Sequence, residues 1–180
     1  MPKTVIISGS PSAKSRVHGV LQLAAESLQN EGHTVEWVNV WEIPADDLLS
    51  LKFDSPALTK AFGLVEAADA VIVATPVYKA SYSGILKVFL DLLPQKALEN
   101  KTVFPIAVGG TLAHLLIIDY ALKPVLAALG AEHIVSGVYV LDSHVAWGSD
   151  GRAALAGEVR ERLDAGLQKL AHATAVASIR

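Results

Sequence analysis

The chain has 180 residues, of which 52% are hydrophobic and 18% are charged. This length predicts a single domain spanning 1–180, and this composition excludes a disordered chain. The 15 basic residues are scattered and the net charge is −3, which excludes the clustered positive charge typical of a nucleic-acid-binding protein. Because the chain has no cysteine, disulfides, thiol catalysis and zinc–thiolate sites are excluded as well.

The first residues, Met1-Pro2-Lys3, lead directly into a strand pattern and show no export signal. No apolar run reaches the roughly 18–20 residues that a membrane helix needs. We therefore expect a cytoplasmic protein without membrane contact.

Short β-branched runs alternate with helical patterns along the chain. They predict strands at 5–7, 35–38, 70–74, 103–108 and 134–140, and helices at about 15–31, 56–68, 83–93, 112–129 and 152–176. The first, third and fourth strands are almost uniformly apolar, as in a parallel sheet covered on both faces, whereas the second alternates and suits an edge. Five strands interleaved with helices predict a doubly wound α/β domain with a five-stranded parallel sheet.

In such a sheet a ligand binds beyond the carboxyl ends of the strands. The first strand is followed by the hydroxyl-rich turn 8–16 and then by a helix, whose N-terminus can bind an anion through free N–H groups and the helix dipole. The turn carries neither a Walker loop nor a GxGxxG fingerprint, which disfavours ATP hydrolysis and Rossmann-type binding of NAD. It predicts a phosphomonoester site, with an ordinary capped turn as the alternative.

The loops after the third and fourth strands add backbone amides and aromatic rings at the same edge. In the first of them Pro76 stiffens the exit from the strand, and Tyr78 and Tyr82 can line a flat ligand or merely pack the loop. The second is Gly109-Gly110-Thr111, whose glycines allow either the close approach of a ligand or a simple turn. Together the three loops predict a site for a phosphorylated, planar, hydrogen-bonding cofactor such as FMN.

At these loops the sequence resembles the NADPH-dependent FMN reductase family. The matching positions are Gly9-Ser10, Thr75 to Tyr78, Ser83-Gly84, Leu86-Lys87 and Gly109-Gly110. Within that family the sequence is most similar to the FMN reductases of two-component alkanesulfonate monooxygenase systems, through 53–58, 73–79 and 109–126. The resemblance extends over 1–145 and implies a flavodoxin-like fold with strand order 2-1-3-4-5 and the use of FMN and NADPH.

The resemblance also implies which residues hold the flavin. Those around the FMN phosphate would be Ser10, Ser12, Ser15 and Arg16, and those at the isoalloxazine ring would be Pro76, Val77, Tyr78, Lys79, Gly109, Gly110 and Thr111. Relatives commonly carry arginine where this chain has Ser12, so the phosphate site has one positive charge fewer here. Because charge-assisted hydrogen bonds are about twice as strong as neutral ones, we expect weaker binding of FMN. Lys14 or Arg16 can supply the missing positive charge.

Tyr120 lies in an apolar helical pattern, four residues before Pro124. Proline has no N–H to donate to the Tyr120 carbonyl, so we predict a local helix defect such as a π-bulge. In the subgroup that the chain resembles, an inserted tyrosine at this place lies at a subunit interface near the flavin, which implies an interface role for Tyr120. The alternative is that Tyr120 packs within its own subunit.

The helical pattern 112–129 is apolar on more than one face, and 86–93 behaves similarly. A helix that is apolar all round must be buried, so both segments predict subunit contacts and a homodimer or homotetramer. The six histidines show neither HExxH nor a helical i, i+4 pair, and no serine lies in a GxSxG elbow. We therefore expect neither a metal site nor a hydrolase, and we assign no catalytic role to His114.

Hydride transfer to a flavin depends on positioning rather than on protein acids or bases, so we predict no catalytic side chain. Backbone amides of Gly109-Gly110 are candidates to stabilise the charge that arrives on the ring. The resemblance implies that reduced FMN passes to a partner monooxygenase that desulfonates sulfonates. The alternatives are a quinone or azo-dye reductase with permanently bound FMN, an electron carrier like flavodoxin, and a flavin-free interaction protein.

Overall fold

The computed structural model describes residues 1–177. The strands are β1 (Lys3–Ser8), β2 (Thr34–Asn39), β3 (Ala70–Tyr78), β4 (Ser81–Tyr82), β5 (Thr102–Gly109), β6 (His133–Ile134), β7 (Val138–Leu141), β8 (Val145–Trp147) and β9 (Ala153–Leu155). The α-helices are α1 (Arg16–Asn30), α2 (Ala45–Leu49), α3 (Pro56–Glu66), α4 (Gly84–Leu92), α5 (Lys123–Ala128) and α6 (Gly157–Ala177). Three-residue 3-10 helices lie at Val40–Glu42, Leu112–His114 and Asp142–His144, and a π-helix lies at Ile118–Leu122.

The main sheet is parallel and has the order β2-β1-β3-β5, followed by β6 and β7, which both pair with β5. This confirms the predicted order 2-1-3-4-5 and the edge position of the second strand. The central strands are buried on both faces, as their uniform apolarity predicts: Ile6 and Ile72 pack against α1 and α6, and Val5 and Val71 pack against α3, α4 and α5. The carboxyl ends of β1, β3 and β5 therefore meet at one edge of a covered sheet.

The predicted fifth strand, 134–140, is wrong as a continuous strand. Ile134 pairs with Val103 and Val138 pairs with Ile106, so the fifth strand has one residue more than β5 between these two pairs. Pro105 lies on β5 at this point, and it has no N–H to offer to the neighbouring strand. The extra residue is a bulge that bypasses the missing donor and divides the strand into β6 and β7.

Serines begin three of the helices. The hydroxyls of Ser15, Ser55 and Ser83 accept the backbone N–H of the third residue of α1, α3 and α4 respectively, at 3.1–3.3 Å. Such caps satisfy N–H groups that have no partner inside the helix and account for the starts predicted at these positions. The last predicted helix, 152–176, begins later than expected because residues 153–155 form β9, which pairs antiparallel with β8.

The predicted helix 112–129 is wrong as one continuous helix, while the defect predicted around Tyr120 is confirmed. The chain forms the 3-10 turn 112–114, then the π-helix 118–122, and only then α5. The N–H of Lys123 bonds to the carbonyl of Ile118, five residues earlier. Pro124 has no N–H to continue α-helical bonding to Tyr120, so the wider turn accommodates the missing bond.

The two apolar segments differ in how they are buried. On 112–122 the side chains of Leu112, Leu115, Leu116 and Tyr120 are exposed, with 78% of Tyr120 accessible. On 86–93 the expectation of an uncovered apolar face is wrong, because Leu86, Phe89, Leu90, Leu92 and Leu93 are all buried in the chain's own core. No helix within residues 1–177 carries an apolar stretch long enough to span a bilayer.

Candidate functional site

A cavity of about 240 Å³ opens where the loops after β1, β3 and β5 meet. It is lined by Lys14, Ser15, Arg16, Val17, Pro76, Val77, Tyr78, Val108, Gly109, Gly110, Asp142 and Trp147. Seven of the residues predicted to hold a flavin are among them. The other four predicted residues, Ser10, Ser12, Lys79 and Thr111, lie outside the lining but belong to the same three loops.

The turn after β1 is organised by Ser10, whose side chain is fully buried. Its hydroxyl lies 2.7 Å from the Ser15 hydroxyl and 3.2 Å from the Ser12 carbonyl oxygen. The Ser12 hydroxyl accepts the N–H of Lys14 at 3.1 Å, so it supports the turn rather than facing the cavity. These bonds hold the turn at the N-terminus of the 15-residue helix α1.

The positive charge at this turn is available to a ligand. Lys14 and Arg16 are exposed, both line the cavity, and neither forms an ion pair with another of the residues 1–177. The positive end of the α1 dipole adds to their attraction for an anion. A phosphate group at this end would meet two cations and the Ser15 hydroxyl, which Ser10 holds from below at 2.7 Å, a donor set that suits a phosphomonoester.

The loop after β3 is a hairpin that the sequence analysis missed. Strand β3 turns back into β4 with Val77 opposite Tyr82 and Tyr78 opposite Ser81. The turn residues Lys79 and Ala80 both have positive φ, 49° and 63°, a conformation that costs about 1 kcal/mol or more for each non-glycine residue. The hairpin fixes Tyr78, which is 52% exposed, at the rim of the cavity.

A chain of hydrogen bonds joins the hairpin to the turn after β1. The Thr75 hydroxyl accepts the N–H of Ser83 at 2.9 Å, and the Ser83 hydroxyl donates to the Gly9 carbonyl at 2.6 Å. A Cβ on Gly9 would lie 2.5 Å from the Cβ of Leu86, so only glycine allows α4 to approach this closely. The first two loops are thereby held as one rigid unit.

The two glycines after β5 serve different purposes. Gly109 packs against the ring of Tyr139, and any Cβ at this position would overlap the Tyr139 hydroxyl. That hydroxyl donates to the Thr111 carbonyl at 2.7 Å, and burial, with the nearby charge of Asp142, raises the pKa of Tyr139. Gly110 is exposed at the cavity, and its surroundings leave space for a Cβ 3.7 Å from Asp142 Oδ2.

Four lining residues, Val17, Val108, Asp142 and Trp147, were not predicted as site residues. Asp142 directly follows β7, so the rule that places ligands beyond the carboxyl ends of strands could have identified it. No local sequence signal distinguishes Trp147. Among residues 1–177 no group of three or more His, Cys, Asp or Glu side chains is placed to hold a metal ion.

A larger cavity, about 310 Å³, lies among the ends of α3 and α4 and the residues before β5. Its one partly buried cation, Lys101, donates to the carbonyls of Glu66 and Ala68 at 2.9 and 2.7 Å and thereby caps the end of α3. This cavity has no exposed aromatic ring and no unpaired cation beside a helix N-terminus. The cleft at the carboxyl edge is therefore the better candidate for a functional site.

The chemistry of the cleft suits FMN. At one end it has the hydroxyls, cations and helix N-terminus that suit the phosphate. At the other it has a hairpin with an exposed tyrosine and a glycine, Gly110, without a side chain to block a flat ring.

Comparisons with known proteins agree with this fit. The chain matches the family described as NADPH-dependent FMN reductase over residues 2–146. It is 48% identical over 165 residues to an FMN reductase (NADPH) from Pseudomonas putida, covering 91% of this chain and 84% of that protein. An FMN reductase (NADPH) from Escherichia coli is 50% identical over 143 residues, which span 79% of this chain and 75% of the relative.

Solved structures give the same picture. An NADH:FMN oxidoreductase (EMOB) in its apo form superposes with a TM-score of 0.86 at 35% identity, covering 96% of this chain and 89% of that one. A flavodoxin from the domain Archaea superposes with a TM-score of 0.65 at 10% identity over 96% of this chain and 98% of the other, and so shares the fold alone. The fold is flavodoxin-like, and the chain belongs to the NADPH-dependent FMN reductase family, a family of oxidoreductases that use FMN and NADPH.

Proposed function

We propose that this chain transfers a hydride from NADPH to FMN in the cleft at the carboxyl edge of the sheet and releases reduced FMN to a partner monooxygenase. The observation that carries the proposal is that three loops line one cavity: the turn after β1 (8–16), here called the phosphate-type turn, the Tyr78 hairpin, and the Gly109–Gly110 loop. When bound, FMN accepts the hydride of NADPH, takes a proton from solvent, and leaves as reduced FMN beside NADP⁺.

The protein's own contribution is positioning. The phosphate end holds the ligand at the N-terminus of α1 through Ser15 and Arg16, with Lys14 as a second positive charge. Ser10 acts through Ser15, whose hydroxyl it bonds at 2.7 Å. The hairpin and the Gly109–Gly110 loop form the two sides between which a flat ring lies. Positioning of this kind can contribute much of a rate enhancement without an acid or base, so we propose no catalytic side chain.

Release of the product is supported by the openness of the cleft. Tyr78 and Trp147 are 52% and 43% exposed, so none of the residues 1–177 fully covers either ring at the cleft. The neutral Ser12 also leaves the phosphate with one charge fewer than an arginine would supply. Both features favour a flavin that is exchanged as a substrate. The desulfonation of sulfonates by the partner rests on the resemblance of segment 109–126 to reductases of that kind.

The proposal includes self-association and a cytoplasmic location, where reduced nicotinamide is supplied. Support for association comes from Leu112, Leu115, Leu116 and Tyr120, whose exposed apolar surface follows directly on the Thr111 end of the site. A monomeric soluble protein rarely exposes so many large apolar side chains in one short segment. A homodimer or homotetramer would bury them.

The test is to purify the protein, record any bound flavin, and follow NADPH oxidation with and without added FMN. Oxidation that depends on added FMN, with saturable FMN binding, is the expected result. Flavin that copurifies at one per chain, with oxidation that needs an added quinone or azo dye, would instead establish the reductase with permanently bound FMN. The absence of saturable FMN binding would refute the proposal.

Parallel assays with NADPH and NADH compare the two donors. A higher kcat/KM with NADPH is expected.

A further inference from the structure

Trp147 lies outside the part of the chain that matches the family, which ends at residue 146, yet it lines the cleft. It belongs to the small antiparallel sheet of β8 and β9, in which it pairs with Ala153. This two-stranded unit packs on α1, at Gly19, rather than joining the main sheet. The unit therefore adds an aromatic ring beside the phosphate-type turn from outside the sheet.

The ring of Trp147 is held in place by close packing on α1. A Cβ on Gly19 would lie 2.9 Å from Trp147 Cη2 and 2.7 Å from the Cβ of Ala153, so the glycine allows both to rest on the helix backbone. The Arg152 guanidinium also donates to the Glu26 carboxylate of α1 at 2.9 Å. Two independent contacts thus position the hairpin against α1.

The environment of Trp147 differs from that of the chain's other two tryptophans. Trp37 and Trp41 pack against the ring of His18, with centroids 5.3 and 5.6 Å apart, and neither lines the cleft. Trp147 has only one end of its indole seated on Gly19 and remains 43% exposed beside Lys14 and Arg16. Covering the exposed apolar surface of such a ring with a planar ligand removes it from water, which is favourable.

We propose that Trp147 is a flavin-binding residue, which contacts bound FMN from the α1 side of the cleft and slows its dissociation. The inference rests on the proposed function. Ser12 gives the turn after β1 no positive charge, which weakens its attraction for the phosphate of FMN. The aromatic surface of Trp147 adds contact with FMN and so restores part of the binding affinity. Tyr78 and Trp147, on two separate hairpins, are then the two exposed aromatic residues of one site.

The first experiment titrates FMN into the wild-type protein and into Trp147→Phe and Trp147→Ala. Stacking of an aromatic side chain on a base contributes enough that its removal typically weakens binding at least severalfold, so we expect the Kd for FMN to rise about tenfold in Trp147→Ala. Trp147→Phe keeps a ring and should stay within about threefold. Trp41→Ala is the matched control: it removes an equal ring near α1 but outside the cleft, and should leave the Kd unchanged.

A spectroscopic readout separates contact from a general loss of structure. Indole in contact with a flavin quenches its emission, so FMN bound to Trp147→Phe should fluoresce more strongly than FMN bound to the wild type. If both substitutions simply unfolded the β8–β9 hairpin, the two Trp147 variants would show the same lower Tm and the same change in Kd. That result would overturn the proposal.

A second pair of variants tests the positioning without altering the aromatic ring. Gly19→Ala displaces Trp147 and should raise the Kd for FMN severalfold. Gly63→Ala, in α3, makes the same substitution within a helix where nothing lies within 4 Å, and should not affect FMN binding.

Unchanged FMN affinity in both Trp147→Ala and Gly19→Ala would overturn the inference while leaving the proposed function intact. An effect confined to the KM for NADPH would overturn it too, since it would assign Trp147 to the nicotinamide donor. Failure of the wild type to bind FMN would instead refute the proposed function itself.

Discussion

Gly109→Ala tests whether the glycine is required by the protein's own packing or by the ligand. The new Cβ would overlap the Tyr139 hydroxyl and lie 3.1 Å from the Cβ of Val77. Tyr139 is 3% exposed, and moving its ring away from the new Cβ would break its 2.7 Å bond to the Thr111 carbonyl. The substitution therefore combines overpacking with the loss of a hydrogen bond.

The magnitude follows from these two effects. Overpacking a core costs about 1–3 kcal/mol and a lost hydrogen bond about 0.5–1.5 kcal/mol, so Gly109→Ala should lower the free energy of unfolding by about 2–4 kcal/mol. Tyr139→Phe loses only the hydrogen bond and should cost about 1 kcal/mol. In the double variant the hydroxyl that collides with the Cβ is gone, so its cost should fall short of the sum by at least about 1 kcal/mol.

Urea unfolding of the two single variants and the double variant measures this coupling, with the midpoint shift evaluated at a constant m-value. Gly110→Ala is the control, because its Cβ would meet only an ordinary contact at 3.7 Å, and it should change stability by no more than about 0.5 kcal/mol. Additive effects of Gly109→Ala and Tyr139→Phe, within about 0.5 kcal/mol, would refute the packing explanation. A stable Gly109→Ala protein that had lost FMN binding would assign the glycine to the ligand instead.

Ser12→Arg adds a charge at the phosphate turn and should lower the Kd for FMN about tenfold at low salt, with the gain shrinking in high salt; Ser12→Gln, which adds length without charge, should show no such gain. Tyr120→Ala should shift the protein toward smaller species in sedimentation velocity or speed flavin release, while Tyr120→Phe should not; unchanged sedimentation and release would count against an interface role. Burial lowers the pKa of both His18 and His33 below the usual 6.5, so the unfolded chain takes up protons first as the pH falls. The free energy of unfolding should therefore decrease from pH 6.5 downward through the folded-state pKa values, and less so in His33→Gln; a stability independent of pH in this range would contradict the assigned shifts.

Much of the fold could be predicted because it depends on local patterns. Apolar runs identify the central strands, since a parallel strand covered on both faces must be apolar along its whole length. The three site loops follow from those strands, because parallel strands bring their carboxyl ends to one edge. The π-helix could be predicted from a single residue, Pro124, whose missing N–H acts within one turn of helix.

The rest was decided by contacts between residues far apart in the chain. Strand 134–140 contains Gly137, a residue type that can mark a bulge, but the division also depends on Pro105 on the neighbouring strand. A Cβ on Gly137 would lie 2.9 Å from the Pro105 carbonyl oxygen, a contact that no local pattern reveals. The turn Lys79-Ala80 lacks the glycine or asparagine that usually marks a tight hairpin, and it is held by the pairing of β3 with β4 and by the bond of the Thr75 hydroxyl to the Ser83 N–H. Segment 86–93 is apolar on several faces because the chain's own core surrounds it.

The same division applies to the site. Its location and its phosphate-type turn could be read from residue types in order, since helix N-termini and serine hydroxyls act locally. Gly109 packs against Tyr139, which lies on a different strand. Gly19 packs against Trp147, which lies more than a hundred residues later in the chain. Sequence alone thus predicts where a candidate site lies and which kind of ligand suits it. The shape of the cleft depends on tertiary structure, because it forms only when side chains distant in the chain pack against Gly19 and Gly109.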